Sequence, residues 1–412
     1  MSKLKLGLKL LRSNAVPNII VAMQLTVVVI LCCNLLSQLD LLLLCNTKIE
    51  KINGEEYSVF LPYSEYSFTD VSDKNSFDPG NIDILKNSLD FSDLSDIKYI
   101  IDVKYTEAYE SDNFSGKAYD VLVYDEACIE YFPIATKGNA AFNLEDDNEY
   151  IDAFITSGDS SLSVGDTVSL YLVESGNITP GKPVELIQRK VRIKGEIKDP
   201  AYMLHLTTGG NINSVDLFEN VSKSISGLTT LIIDEKQAIA GNLSCQSQQG
   251  RIVVYDKDIS LATVQKNEKL MASKGYVVSK AQIKANSDEA KSWVMETYFP
   301  KVCFLLLVAL TGMIAAAIIN TSGTLKAFRI FYICGCRWKD CIKISLINTA
   351  VITIIAGLIS FLLLKISYFF NLSTYGFIFT SANTYMGCIL VLLLFWIVST
   401  IAPMVILRKN KP

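Results

Sequence analysis

The stretch Gly176-Asn177-Ile178-Thr179-Pro180-Gly181-Lys182-Pro183 comes nearest to a phosphate-binding loop. It fits G-x-x-x-x-G-K and then fails, because such a loop needs Ser or Thr after the lysine to reach magnesium. Pro183 supplies neither a hydroxyl nor an amide N–H, so the segment reads as a Gly/Pro turn between strands. The chain has one histidine, His205. A Ser-His-Asp hydrolase needs it beside a nucleophile and a carboxylate; a surface or partly buried imidazole is the simpler reading. Glu145-Asp146-Asp147-x-Glu149 lacks the spaced ligands of a calcium loop and reads as a solvated acidic turn. Cys334-x-Cys336 with Cys341 lacks a zinc spacing and has no histidine near it. No catalytic, metal or cofactor set is therefore expected.

The chemistry that remains is binding. The segment LKAFRIFYICGCRWKDCIK, residues 325–343, is basic and lies between two apolar runs. The first run, Val302–Ile319, carries no charge, and the second begins at Ile344. About 18–20 uncharged apolar residues suffice to cross a bilayer as a helix. The three pieces form a membrane hairpin with a short basic loop, and such loops stay in the cytoplasm. Within it Leu325, Phe328 and Tyr332 share one helical face, Gly335 breaks the helix, and Arg337–Ile342 starts the next.

Composition agrees with a divided chain. Net charge is −4, half the residues are hydrophobic, and mean hydropathy is +0.31. Residues 46–297 hold 24 basic and 40 acidic side chains, whereas the rest hold 14 and 2. A large acidic aqueous domain is thus joined to a basic membrane part. The acidic surface excludes nucleic acid as a partner, and the basic part suits membrane lipids and cytoplasm. Of the ten cysteines only Cys128 and Cys245 sit well inside the aqueous domain; a single disulfide or two free thiols are both open.

In chain order, residues 1–16 form a basic amphipathic segment on the inner membrane surface. Residues 17–45 are a first transmembrane helix, too long for a signal-peptide core and without a cleavage site. Asn34, Gln38 and Asp40 mark its outer, interfacial end. Residues 46–297 are the extracytoplasmic domain. Residues 298–321, 344–365 and 386–407 are three further transmembrane helices. They are joined by the cytoplasmic loop 322–343 and an aromatic-rich outer loop 366–385 (Tyr368, Phe369, Phe370, Tyr375, Phe377, Phe379, Tyr385). Lys365 snorkels outward. A tail, 408–412, anchors the last span inside, so both termini are cytoplasmic. Gly312-x-x-x-Ala316 and Thr353-x-x-x-Gly357 put small residues at a helix-packing spacing, for a bundle or dimer seam.

The extracytoplasmic domain reads as α+β. Lys190–Lys198 and Ile101–Tyr105 alternate apolar and polar residues as half-buried strands, and Leu231–Ile233 and Ile252–Tyr255 read as more buried ones. Residues 259–274 read as a helix with Gly275 as its C-cap. With Ile252–Tyr255 before it and Tyr276–Val278 after it, it makes a βαβ-like unit. Residues 284–297 form another helix leading to the span near Lys301, with Pro300 as a kink or a new start.

One helix, a large external domain and then three helices resembles the plan of the FtsX/MacB-type permease family, the membrane subunits of type VII ABC transporters. Lys326–Asp340 resembles that family's signature, roughly R-E-h-x-h-h-R-A-L-G-A-s-r-r-x with h apolar. Gly335 matches its glycine, Lys326 its first basic residue, and Arg337, Trp338 and Lys339 the polar positions that follow. Val164-Gly165-Asp166-Thr167-Val168 and Val191–Pro200 resemble its external strands. The sequence departs from the pattern at Ala327, where the family has Glu, and at Cys334, where it has Leu. The resemblance implies a second permease chain, homo- or heteromeric, and a cytoplasmic ABC ATP-binding subunit. Coupling contacts would come from Lys326, Phe328, Arg329, Tyr332, Gly335, Arg337, Trp338, Lys339 and Asp340. It implies no catalytic site of the chain's own. It also implies a role outside the membrane, either removing a peptide, antibiotic or lipid-linked substrate or switching a cell-wall hydrolase. A receptor that works without ATP, or a tethered enzyme, are the readings that remain without it.

Overall fold

The computed structural model describes residues 15–411 except 53–54, 63–88, 113–115, 139–149, 157–161, 174–185, 199–200, 207–211, 222–227 and 370–380. The amphipathic segment up to residue 14, the Gly176–Pro183 turn, the acidic turn 145–149 and outer-loop aromatics Phe370, Tyr375, Phe377 and Phe379 lie outside the described residues. The elements are α1 (Ala15–Ile49), β1 (Tyr57–Pro62), β2 (Ile97–Tyr109), β3 (Ala118–Tyr124), α2 (Glu126–Tyr131), β4 (Tyr150–Thr156), β5 (Thr167–Val173) and β6 (Leu186–Ile197). Then follow β7 (Tyr202–Leu204), β8 (Phe218–Asn220), β9 (Thr229–Asp234), α3 (Glu235–Ala240), β10 (Gln246–Tyr255), α4 (Leu261–Ala272) and β11 (Gly275–Ser279). The chain ends with α5 (Lys280–Ile333), α6 (Trp338–Phe369) and α7 (Ala382–Lys409). Two compact units result: a helical one of residues 1–43 and 290–412, and a sheet unit, Leu44–Glu289. This is a membrane protein in which four apolar helices flank a mixed sheet domain, inserted between the first and second.

The sheet unit is built on β2. Its nine strands run β11-β1-β10-β2-β3-β9-β4-β6-β5, and the far end of β2 also pairs with β5. Strands β2, β3, β9, β4, β6 and β5 therefore close on themselves as a small barrel. Alternation supplies the reason: Val191, Ile193 and Ile197 of β6 are buried while Arg192, Lys194 and Glu196 between them are not. Tyr119, Val121, Ala153, Leu170, Val191 and Leu231 meet in one core, each large aliphatic contributing roughly 1.5–3 kcal/mol relative to exposure. Outside, buried Asp152 holds Arg192 at 2.7 Å and Lys194 at 3.5 Å.

The other end of β2 carries a second core, where Phe60, Val253, Tyr255, Val264 and Met271 pack under α4. Strands β10 and β11 each pair antiparallel with β1, so the expected βαβ unit exists with β1 inserted between its strands. Ser260 caps α4, accepting the Thr263 N–H at 3.1 Å. The expected C-cap at Gly275 is corrected. Helix α4 stops at Ala272 with Ser273 as its cap, and Gly275 opens β11 instead. A Cβ there would sit 2.4 Å from the Leu61 carbonyl oxygen. Close strand approach, not helix termination, requires that glycine.

The expected helix 284–297 and the span after it form one helix, α5, with Pro300 inside it. Its first turns belong to the sheet unit. Lys280 donates to the Glu55 carbonyl at 2.7 Å, Asn286 Nδ2 to the Ile212 carbonyl at 2.8 Å, and Ser287 Oγ accepts the Ser214 N–H at 2.9 Å. Asn286→Ala would strand the Ile212 carbonyl in a buried place. It is expected to lower unfolding free energy by about 1–2 kcal/mol, readable as a shifted denaturation midpoint of the full chain.

His205 follows β7 in the sheet unit, its Nδ1 3.0 Å from Glu219 Oε2 on β8. That hydrogen bond holds the Glu219 carboxyl below its usual range. The associated stability is complete above the ordinary glutamate value of about 4.3 and is lost as pH falls through the depressed one. The stability gap between wild type and Glu219→Gln is therefore expected to narrow on acidification below about pH 4. Unfolding measured at a series of pH values checks this.

Candidate functional site

The turn between α5 and α6 is a built structure. Helix α5 ends at Ile333, and Gly335 takes φ of 90°. The Gly335 N–H reaches the Tyr332 carbonyl at 3.0 Å and the Cys336 N–H reaches Phe331 at 2.9 Å. That pair of bonds is a Schellman motif, which needs a left-handed residue where Gly335 stands. Cys336 and Phe331 also pack against the same apolar cluster, as the motif favours. Helix α6 starts three residues after the glycine, at Trp338.

Beneath the turn, Phe328, Trp338, Cys341, Ile344 and Leu407 form a buried cluster. Trp338 Nε1 donates to the Leu407 carbonyl at 2.7 Å, and the Tyr332 ring meets the Trp338 ring edge-on at 5.9 Å. The turn is thereby fastened to the end of α7. Above it, Lys326, Arg329, Arg337, Lys339 and Lys343 are exposed, as are Arg408 and Lys409 at the end of α7. Tyr332 is 39% exposed and Ile333 82%. Asp340 is half-buried. The surface is cationic with an apolar tip. It has the chemistry to bind an acidic, partly apolar protein face.

The nine residues singled out by sequence thus divide. Lys326, Arg329, Tyr332, Gly335, Arg337 and Lys339 lie at the surface, and Asp340 is half-buried. Phe328 and Trp338 face inward as anchors. The signal that sets Trp338 apart from its polar neighbours is its apolar spacing with Cys341 and Ile342, and packing against Leu407 of α7 bears the inward position out.

The four small residues serve different neighbours inside the helical unit. A Cβ on Gly312 would meet Gln24 Oε1 of α1 at 2.6 Å, whereas one on Gly357 would meet Leu392 of α7 at 3.0 Å. Ala316 is buried on α5, and Thr353 returns its hydroxyl to the Thr349 carbonyl at 3.0 Å. Sequence reasoning missed Gly387, whose Cβ would meet Leu36 at 2.5 Å. It also missed Thr26, whose hydroxyl donates to the Ala22 carbonyl of its own helix at 2.8 Å and lies 3.4 Å from the Ala356 carbonyl of α6. At the other end of α1, Asp40 accepts from Thr384 at 2.6 Å and from Ser381, the N-cap of α7. A carboxylate beside a helix N-terminus is favourably placed.

Cys128 and Cys245 are free. Burial raises both thiols, Cys245 to about 11. Among the described residues no group of three or more His, Cys, Asp or Glu side chains could hold a metal ion.

No family model matches the sequence. No curated protein matches it either. Among solved structures, the chain is similar to the periplasmic region of MacB from Actinobacillus actinomycetemcomitans, at 13% identity and a TM-score of 0.28, over 61% of this chain and 99% of that one. It is also similar to the extracellular domain of the noncanonic ABC-type transporter YknZ from Gram-positive bacteria, at 11% identity and a TM-score of 0.26, over 54% and 98%.

Proposed function

We propose that this chain is the permease subunit of an ABC transporter of the FtsX/MacB type. The α5–α6 turn receives motion from a separate cytoplasmic ATP-binding subunit, and the sheet domain works outside the membrane. The observation that carries this is the turn itself: a cationic, apolar-tipped surface on a capped and anchored helix junction. Its exposed cations, with Arg408 and Lys409 at the end of α7, support a cytoplasmic position for the turn by the positive-inside rule, and with it an external position for the sheet domain. Helix α5 is one element from its hydrogen-bonded root in the sheet unit to the Schellman turn. A packed helix of that kind passes displacement from one end to the other. A second permease chain completes the complex. The external role we assign is export or removal of a peptide, antibiotic or lipid-linked substrate.

The test is to purify the full chain from membranes in mild detergent and ask whether an ATP-binding subunit accompanies it. Arg329→Glu, Arg337→Glu and Lys339→Glu together are expected to abolish its recovery while leaving the thermal unfolding of the chain unchanged. If wild type brings no ATPase, the permease reading fails and the chain is a receptor. If the triple variant retains the ATPase, the turn is not the coupling surface.

A further inference from the structure

The turn-bearing end of the helical unit contains a small polar pocket. Its volume is about 20 Å³, and Asn18, Asn320, Thr324, Ser345, Asn348 and Thr349 are among the side chains that line it. A single water needs about 10–15 Å³. Asn320 Nδ2 donates to Asn18 Oδ1 at 2.6 Å, but Asn320 Oδ1 and Asn348 Oδ1 are buried without a hydrogen-bond partner. Both orphans are acceptors. Two of the lining hydroxyls spend their protons within their own helices: Thr324 donates to the Asn320 carbonyl at 2.8 Å and Thr349 to the Leu346 carbonyl at 3.0 Å. Their oxygens keep lone pairs for further donors.

Three occupants satisfy acceptors: a cation, a donor side chain, or water. None of the lining side chains is charged, and a cation inside the helices without a carboxylate partner is costly. A water-sized donor meets the volume and the chemistry together. We propose that this pocket is a hydration site in which one water donates to Asn320 Oδ1 and Asn348 Oδ1, tying α5 to α6 behind the turn. Phe328 is shared between the pocket and the anchoring cluster of the turn. The site therefore adjoins the cluster that anchors the turn. This hydration does not depend on the permease reading and is tested without an ATPase.

The experiment is thermal unfolding of the detergent-solubilised full chain carrying Asn320→Leu, Asn348→Leu, or both. Each single change is expected to lower Tm by roughly 2–4 °C, Asn320→Leu by the more because it also removes the bond to Asn18, and the double change by no more than the larger single one, because both remove the same bridged water. Asn320→Ser keeps a hydroxyl for the water and is expected to unfold closer to wild type than Asn320→Leu. Exchange of sodium chloride for choline chloride is expected to leave Tm unchanged. A rise in Tm for either leucine variant would show a dry pocket and overturn the proposal. Stabilisation by sodium alone would overturn it in favour of a cation.

Discussion

Trp338→Ala is expected to cost about 3–5 kcal/mol of unfolding free energy, the range for deleting a large aromatic from a packed core. Trp338 is 6% exposed and packs with Phe328, Cys341, Ile344 and Leu407. It also supplies the hydrogen bond to the Leu407 carbonyl. Trp338→Phe keeps most of the ring packing but removes that bond and leaves the buried Leu407 carbonyl without it, so a smaller cost of about 1–3 kcal/mol is expected. Denaturation of the two variants in the same detergent ranks the two effects. The functional expectation follows from geometry. Without its anchor the turn is no longer fastened to α7, and on the permease reading, recovery of an ATP-binding subunit with the chain is expected to fall while the surface cations remain in place. Equal stability of Trp338→Ala and wild type would show that the cluster does not hold the turn.

Gly275→Ala is expected to destabilise the sheet unit by about 1–3 kcal/mol, the cost of overpacking a closed site. The added Cβ would lie 2.4 Å from the Leu61 carbonyl oxygen, 2.5 Å from a Phe60 ring carbon and 2.8 Å from the Pro62 Cα. Two of those three atoms are backbone of β1, and β1 is pinned on its other side by β10. The strand cannot shift without breaking one of its two ladders. The neighbouring Ser273→Ala, at the true end of α4, is expected to change stability by less than about 0.5 kcal/mol, as an exposed position away from packing does. If Gly275 were the cap of α4, the cost would instead appear as loss of helix with the ladder intact. Amide hydrogen exchange at Val277 and Phe60 reads the ladder directly.

Periodicity and charge were enough to identify the four apolar helices, the sheet domain between the first and second, and several of its strands. Those properties are local. An uncharged apolar run has no stable place in water, and alternation at period two admits only a strand with one buried face. The break at Gly335 was legible for the same reason, since a glycine between two helical patterns offers the left-handed conformation. The chemistry-bearing decoys were weighed on local grounds as well, and His205 proved to be paired with Glu219.

Tertiary structure decided what depends on distant partners. Closure of the barrel rests on two residue pairs between β2 and β5, Ala108 with Leu172 and Tyr109 with Tyr171, some sixty residues apart. The role of Gly275 is set by β1, more than 200 residues earlier, and that of Trp338 by Leu407 at the end of the last helix. Thr26 and Ser360 look like stray polar residues in apolar runs until the fold sets α1 against α6. The long apolar helices and the clearly alternating strands were readable from the chain because each is specified by the side chains within it, whereas short elements such as β7, β8, α2 and α3 carry too few residues for a period to show. Which faces meet, and so which residues anchor and which remain free for a partner, was decided only by packing between elements remote in the chain.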